Sequence, residues 1–174
     1  MRRSAFVKLL GITEEAFNLL RARKLVPLRG SKKGRGWQEF SVDDAIAFEA
    51  AAALSRQGVK KADACAIVDY YFDIAIERFV DDGEARPFFL GIMKPAQAAP
   101  GRSTLDLAFG LIGTTSHLAE DIERYVDAVG DIQWLDGFVA IDLRRCVATV
   151  LDRAEEAGLA DPALQAKAAF FKLL

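Results

Sequence analysis

The chain is poor in the residues that build metal centres and disulfide frameworks. Its 174 residues include two cysteines, Cys65 and Cys146, and one histidine, His117. Both cysteines sit inside helical patterns with no nearby Cys or His. That excludes a cysteine-rich metal sensor and predicts buried thiols in a reducing, cytoplasmic compartment. The lone histidine lacks the partners that a nucleophile or a metal site requires, so a structural role is expected for it. No glycine-rich phosphate loop is present, nor a Cys–His or Ser–His pair with a third member. The expectation is therefore a protein that is not an enzyme and that needs no cofactor or metal. Long apolar runs are also missing, since none approaches the roughly 20 residues of a membrane span. Met1-Arg2-Arg3 leads into an amphipathic helix rather than an apolar stretch, which does not suit a secretory signal.

Against these absences stands an ordinary globular balance, 52% hydrophobic and 28% charged. It excludes long disorder and suits one medium domain or two small ones. The overall charge of −2 hides an asymmetry. Residues 1–61 carry thirteen Lys and Arg against six Asp and Glu, net +7. Residues 62–174 carry ten basic and nineteen acidic residues, net −9. Such a split suggests a basic arm for a polyanion and an acidic region with another task.

The apolar spacing predicts a first helix from Ser4 to Leu10, with Phe6, Leu9 and Leu10 inward and Gly11 ending it. Thr13 is a suitable N-cap for a second helix, with Glu14 and Glu15 at its positive end. Ala16, Phe17 and Leu20 face the core of that helix; Glu14, Asn18 and Arg21 share its outer face. Leu25, Val26 and Pro27 make an extended exit. A basic glycine-flanked loop is expected from Gly30 to Gly36, then a short strand from Trp37 to Phe40. Ser41 caps a third helix that stops at Gly58, and a fourth starts near Val59. In the second half, the run between Pro87 and Pro95 predicts an edge strand. Leu105, Leu107, Phe109 and Leu111 alternate as in a half-buried strand. A helix follows, with Leu118, Ile122, Tyr125, Val126 and Val129 on one stripe. Asp136-Gly137 between apolar runs predicts a two-residue hairpin, with Trp134 and Phe138 expected in the core or, alternatively, lining a ligand pocket. Arg144 to Ala157 reads as a helix, and Asp161-Pro162 opens a last one. The tail residues Phe170, Phe171, Leu173 and Leu174 call for cover from this chain or a partner.

The order of motifs in the first 70 residues resembles the winged helix-turn-helix domain of the mercury-resistance-regulator (MerR) family. Gly11-Ile12-Thr13 matches the turn into the recognition helix, and Lys24-Leu25-Val26-Pro27 the helix exit. Gly36-Trp37-Gln38-Glu39-Phe40-Ser41 matches the wing, Asp44 the start of the next helix, and Gly58-Val59 the turn beyond. Asn18 and Leu19 stand where the family usually has Arg then Tyr, Gln38 where it has Arg, and Lys24 where it favours Gly. The resemblance covers about the first 70 residues and implies a MerR-like winged helix-turn-helix over residues 1–72. Residues 73–174 match no effector domain of the family, and their own patterns predict a small α/β dimerisation or sensing domain, for an α+β fold in all. The second unit is expected to run strand, strand, helix, hairpin, helix.

The implied function is DNA-binding transcription regulation by a homodimer on a pseudo-palindromic site, with no membrane partner. RNA polymerase or another protein is a further expected partner. The expected DNA-contacting residues are Thr13, Asn18, Arg21, Arg23, Lys32, Lys33, Arg35 and Gln38. Asn18 suits base readout, and the basic residues suit phosphate contacts. Two rivals use the same fold differently. One is an architectural, phage excisionase-like factor that bends DNA. The other is a protein-interaction adaptor whose winged domain has lost DNA binding, which the missing Arg and Tyr favour.

Overall fold

Helix α1 spans Arg3–Leu10 and buries Phe6, Val7, Leu9 and Leu10, one residue longer than the spacing predicts. This structure is a computed structural model, and it describes residues 1–27, 32–33, 37–38, 40–82, 89–95, 109–129 and 135–159. Gly11 closes α1 in the left-handed region (φ 64°), with its amide donating to the Lys8 carbonyl. That conformation carries no steric penalty for glycine. Helix α2 covers Glu14–Ala22. The rings of Phe6 and Phe40 stack with centroids 4.3 Å apart, and Phe17 meets both edge-on at 5.8 Å. This trio fixes α1, α2 and the chain entering α3 in one small core.

Between α2 and α3 lie two short strands, β1 (Lys32–Lys33) and β2 (Trp37–Gln38), paired antiparallel as Lys32↔Gln38 and Lys33↔Trp37. The basic run, expected as loop, thus contributes a strand, because pairing with β2 gives its backbone groups partners. Helix α3 is Val42–Arg56. Its N-terminus is a capping box, with the Ser41 hydroxyl accepting from the Asp44 amide at 3.0 Å and the Asp44 carboxylate accepting from the Ser41 amide at 2.8 Å. Helix α4 runs Lys61–Asp82 and passes through position 72, where Phe72 is fully buried.

The three-stranded antiparallel sheet has the order β4-β3-β5, built from β3 (Phe89–Pro95), β4 (Phe109–Gly113) and β5 (Leu135–Asp142). Two expectations are corrected here. First, β3 is central rather than an edge strand. Leu90 and Ile92 are buried. Gly91 lets β5 close in, since a Cβ there would lie 2.1 Å from the Val139 carbonyl oxygen. Pro95 is tolerated because it stands at the last position of the strand, where the register shifts. Second, Asp136-Gly137 is not a hairpin turn. β5 runs through it, and Lys94↔Gly137 followed by Pro95↔Leu135 leaves Asp136 as an extra residue, a bulge. Phe138 just beyond it is 55% exposed rather than in the core. In β4 Ile112 is buried, while the side chains of Phe109 and Leu111, and all of Leu105, Leu107 and Trp134, lie outside the described residues.

Helix α5 (Thr115–Val129) follows β4, and α6 (Leu143–Glu156) follows β5, capped by the Asp142 carboxylate, which accepts from the Arg144 amide at 3.0 Å. α6 lies against α1 and α3 and buries Leu143, Cys146, Val147, Val150 and Ala154 in the cluster that holds Phe6, Leu9 and Leu54. The class is α+β, mostly helical, with six helices among the described residues. The helix expected from Asp161 and the Phe-rich tail lie outside those residues.

Candidate nucleic-acid interface

The turn from α1 into α2 is held by chemistry at both of its ends. At the α2 end the Thr13 hydroxyl accepts from the Ala16 amide at 3.2 Å. That spends the Thr13 side chain on its own helix. The carboxyl of exposed Glu15 sits below its usual range because its own backbone amide and the Thr13 side chain donate to it. At the α1 end the Arg153 guanidinium, from α6, donates to the Leu10 carbonyl at 3.3 Å and to the Leu9 carbonyl at 3.5 Å. These are acceptors that a helix C-terminus leaves open. A Cβ at Gly11 would lie 2.8 Å from Arg153 Nε, so a larger residue here would have to push the guanidinium off its α1 carbonyls as well as take the left-handed conformation.

The same guanidinium donates to Glu49 Oε2 at 2.7 Å, while Arg56 donates to Glu49 Oε1 at 2.7 Å. Glu49 is 3% exposed, so both of its oxygens are satisfied in a dry setting. Its negative charge has a second effect. Burial first, then the Glu49 carboxylate, pushes the Cys146 thiol up to about 12. Burial and then Asp69 push the Cys65 thiol up to about 11. Both thiols are free and protonated at neutral pH, hence inert, in line with the expectation of buried cysteines. His117 braces the turn from β4 into α5, with Nδ1 accepting from the Thr114 amide at 3.3 Å.

On the outer face of α2, Asn18, Arg21 and Arg23 are exposed. Asn18 Oδ1 accepts from the Arg3 guanidinium, which also lies over the Phe17 ring, 5.4 Å from its centroid. Arg23 is the C-cap of α2, and Lys24 after it takes the left-handed conformation at φ 56°. Lys32, Lys33 and Gln38 are placed on the β1–β2 hairpin by backbone register, with Lys32 opposite Gln38. Arg35 lies outside the described residues. Of the described members of the expected set, Asn18, Arg21 and Arg23 thus belong to α2 and its C-cap, Thr13 to its N-cap, and Lys32, Lys33 and Gln38 to the hairpin.

Three features around the candidate site escape the sequence reading. Arg3 shows there only as a charge next to the first residue, and its contact with Asn18 needs α1 and α2 folded together. The left-handed Lys24 is not itself a glycine, and its one mark is that it stands where the resembled family favours Gly. The Glu49–Arg153 pair has one faint mark, a single acid inside an otherwise apolar run of α3, but its partner lies far along the chain. Among the described residues no group of three or more His, Cys, Asp or Glu comes together to hold a metal ion, and no helix is long and apolar enough to cross a membrane. No protein-family model matches the chain, and no curated protein matches it.

Proposed function

We propose that this protein is a DNA-binding transcription regulator of the MerR-like type, acting as a homodimer on a pseudo-palindromic site. The observation that carries the reading is the presentation of α2. It stands on the Phe6–Phe17–Phe40 core with Asn18, Arg21 and Arg23 exposed, and an antiparallel hairpin bearing Lys32 and Lys33 follows it. In that arrangement α2 serves as the recognition helix in the major groove and the hairpin as a wing on the phosphate backbone. The net +7 of residues 1–61 supports it, since a basic segment attracts a polyanion at long range. Exposed Tyr70 and Ile74 on α4 and Phe138 on β5 give a second copy apolar surface to cover. A mobility-shift titration at several salt concentrations tests the reading. Binding to duplex with a steep salt slope supports it, and absence of binding at low salt refutes it. Footprinting with a bend assay then separates a regulator from an architectural factor.

One observation favours the adaptor instead. Leu19, in the middle of α2, is 52% exposed, an apolar residue where a recognition helix normally offers a polar one. If Leu19→Arg abolishes capture of a protein partner by a chain that does not bind duplex, α2 is a protein-docking helix.

A further inference from the structure

Between the C-terminal end of α2, the alanine-rich middle of α3 and the first turns of α4 lies a cavity of about 340 Å³. Its origin is steric. Ala51 and Ala52 project nothing beyond Cβ, which leaves a gap bordered by Phe48 of the same helix and by Leu20 and Leu25 across from it. The volume falls in the range of small-molecule sites, roughly 300–1,000 Å³. The chemistry of the lining is asymmetric. The floor is apolar, closed by the Cys65 thiol, while among the described residues Arg56 and Lys61 are the charged side chains of the wall and no acid joins them.

We propose that this cavity binds a small amphipathic carboxylate, a monoanion with a short hydrocarbon or aryl tail. The tail covers Leu20, Leu25 and Phe48, and the carboxylate sits between Lys61 and Arg56. Lys61 is exposed and makes no ion pair with a described residue. Arg56 gives Nη2 to Glu49, yet its side chain is 63% exposed, and a guanidinium carries five N–H donors in all. Charge separates this cavity from its neighbour. A second one of about 480 Å³, on the other side of Arg56, is lined by Glu49 and Asp142 as well as Arg56 and Arg145, so its charges balance and offer an anion no net attraction. The site is independent of duplex binding, so it stands or falls on its own.

Titration calorimetry of the full chain with octanoate, octanol and octylamine tests the proposal. Octanoate should bind with one site per chain, and octanol and octylamine more weakly. Lys61→Gln should weaken octanoate about fivefold, the scale of one exposed ion pair, leave octanol unchanged, and be rescued by Lys61→Arg. Ala52→Trp fills the cavity from its half-exposed edge and should remove binding of all three, with circular dichroism verifying that the variant is folded. Equal affinity for octanoate and octanol overturns the anion assignment; a groove built for an apolar peptide would give that result. Octanoate binding that survives Ala52→Trp in the folded variant overturns the site, and so does absence of heat at millimolar octanoate.

Discussion

Arg153 and Glu49 meet at 2.7 Å across 104 residues of sequence, and the same guanidinium reaches the last carbonyls of α1. One side chain therefore neutralises a buried acid and closes a helix end. Arg153→Met should destabilise the fold by about 3 kcal/mol, because it leaves Glu49 with half its partners and the α1 carbonyls with none. The double variant Glu49→Leu/Arg153→Met should be less destabilised than the single one, since no charge is then stranded. Urea unfolding of both variants checks this. A double variant worse than the single one would show that the pair is worth more than its desolvation.

Lys24 occupies a glycine's conformation. Its amide donates to Arg21 and the Leu25 amide donates to Leu20, the pattern that Gly58 and Gly158 complete after α3 and α6. A side chain in the left-handed region costs roughly 1–2 kcal/mol. Lys24→Gly should raise stability by about 0.5–1 kcal/mol, less than the full strain because glycine loosens the unfolded chain. A lower melting temperature would mean that the lysine stem packs on something more valuable.

The thiols make stability depend on alkaline pH. An unfolded cysteine loses its proton near pH 9, whereas native Cys146 holds its own until about 12. Below pH 9 the stabilisation is fully present, and above it the unfolded chain is favoured as pH rises. The slope for this one group is up to about 1.4 kcal/mol per pH unit. Cys146→Ala should flatten that decline in urea titrations between pH 8 and 10.5, and native Cys146 should resist iodoacetamide at pH 8.

For the proposed duplex interface, changing Lys32, Lys33 and Arg35 together to Ala should lower the salt slope by about 0.9 for each phosphate no longer neutralised. Asn18→Ala should alter preference between sites more than overall affinity. An equal loss on every duplex would make Asn18 a partner of Arg3 and nothing more.

For the proposed dimer, Tyr70→Glu with Ile74→Glu tests α4, and Phe138→Glu tests the exposed edge of β5. Light scattering on the full chain should show dissociation with one of these and not with the other. Dimers surviving both changes would place the interface elsewhere.

Helix positions were legible in the sequence because their signals are local: Gly11, Thr13, Ser41 and Gly58 act within one turn. The strand order was not. Whether β3 is central depends on β5 approaching Gly91, a contact made by residues far away in the chain. Asp136-Gly137 misled for the same reason: its pairing partner, Lys94, decides between turn and bulge. At the candidate site, the exposed face of α2 followed from helical spacing, but the grip of Arg3 on Asn18 and of Arg153 on α1 came only with tertiary packing.

The contact between Leu10 and Arg153 also sets a timetable. On the ribosome, α1 and α2 emerge early, but the guanidinium that closes α1 and the α6 side chains that cover Leu9 and Leu54 are synthesised much later in the chain. Until then the basic segment waits with part of its core uncovered, a condition that invites chaperones. A chain interrupted after α4 would meet the cell's proteases before it met a partner.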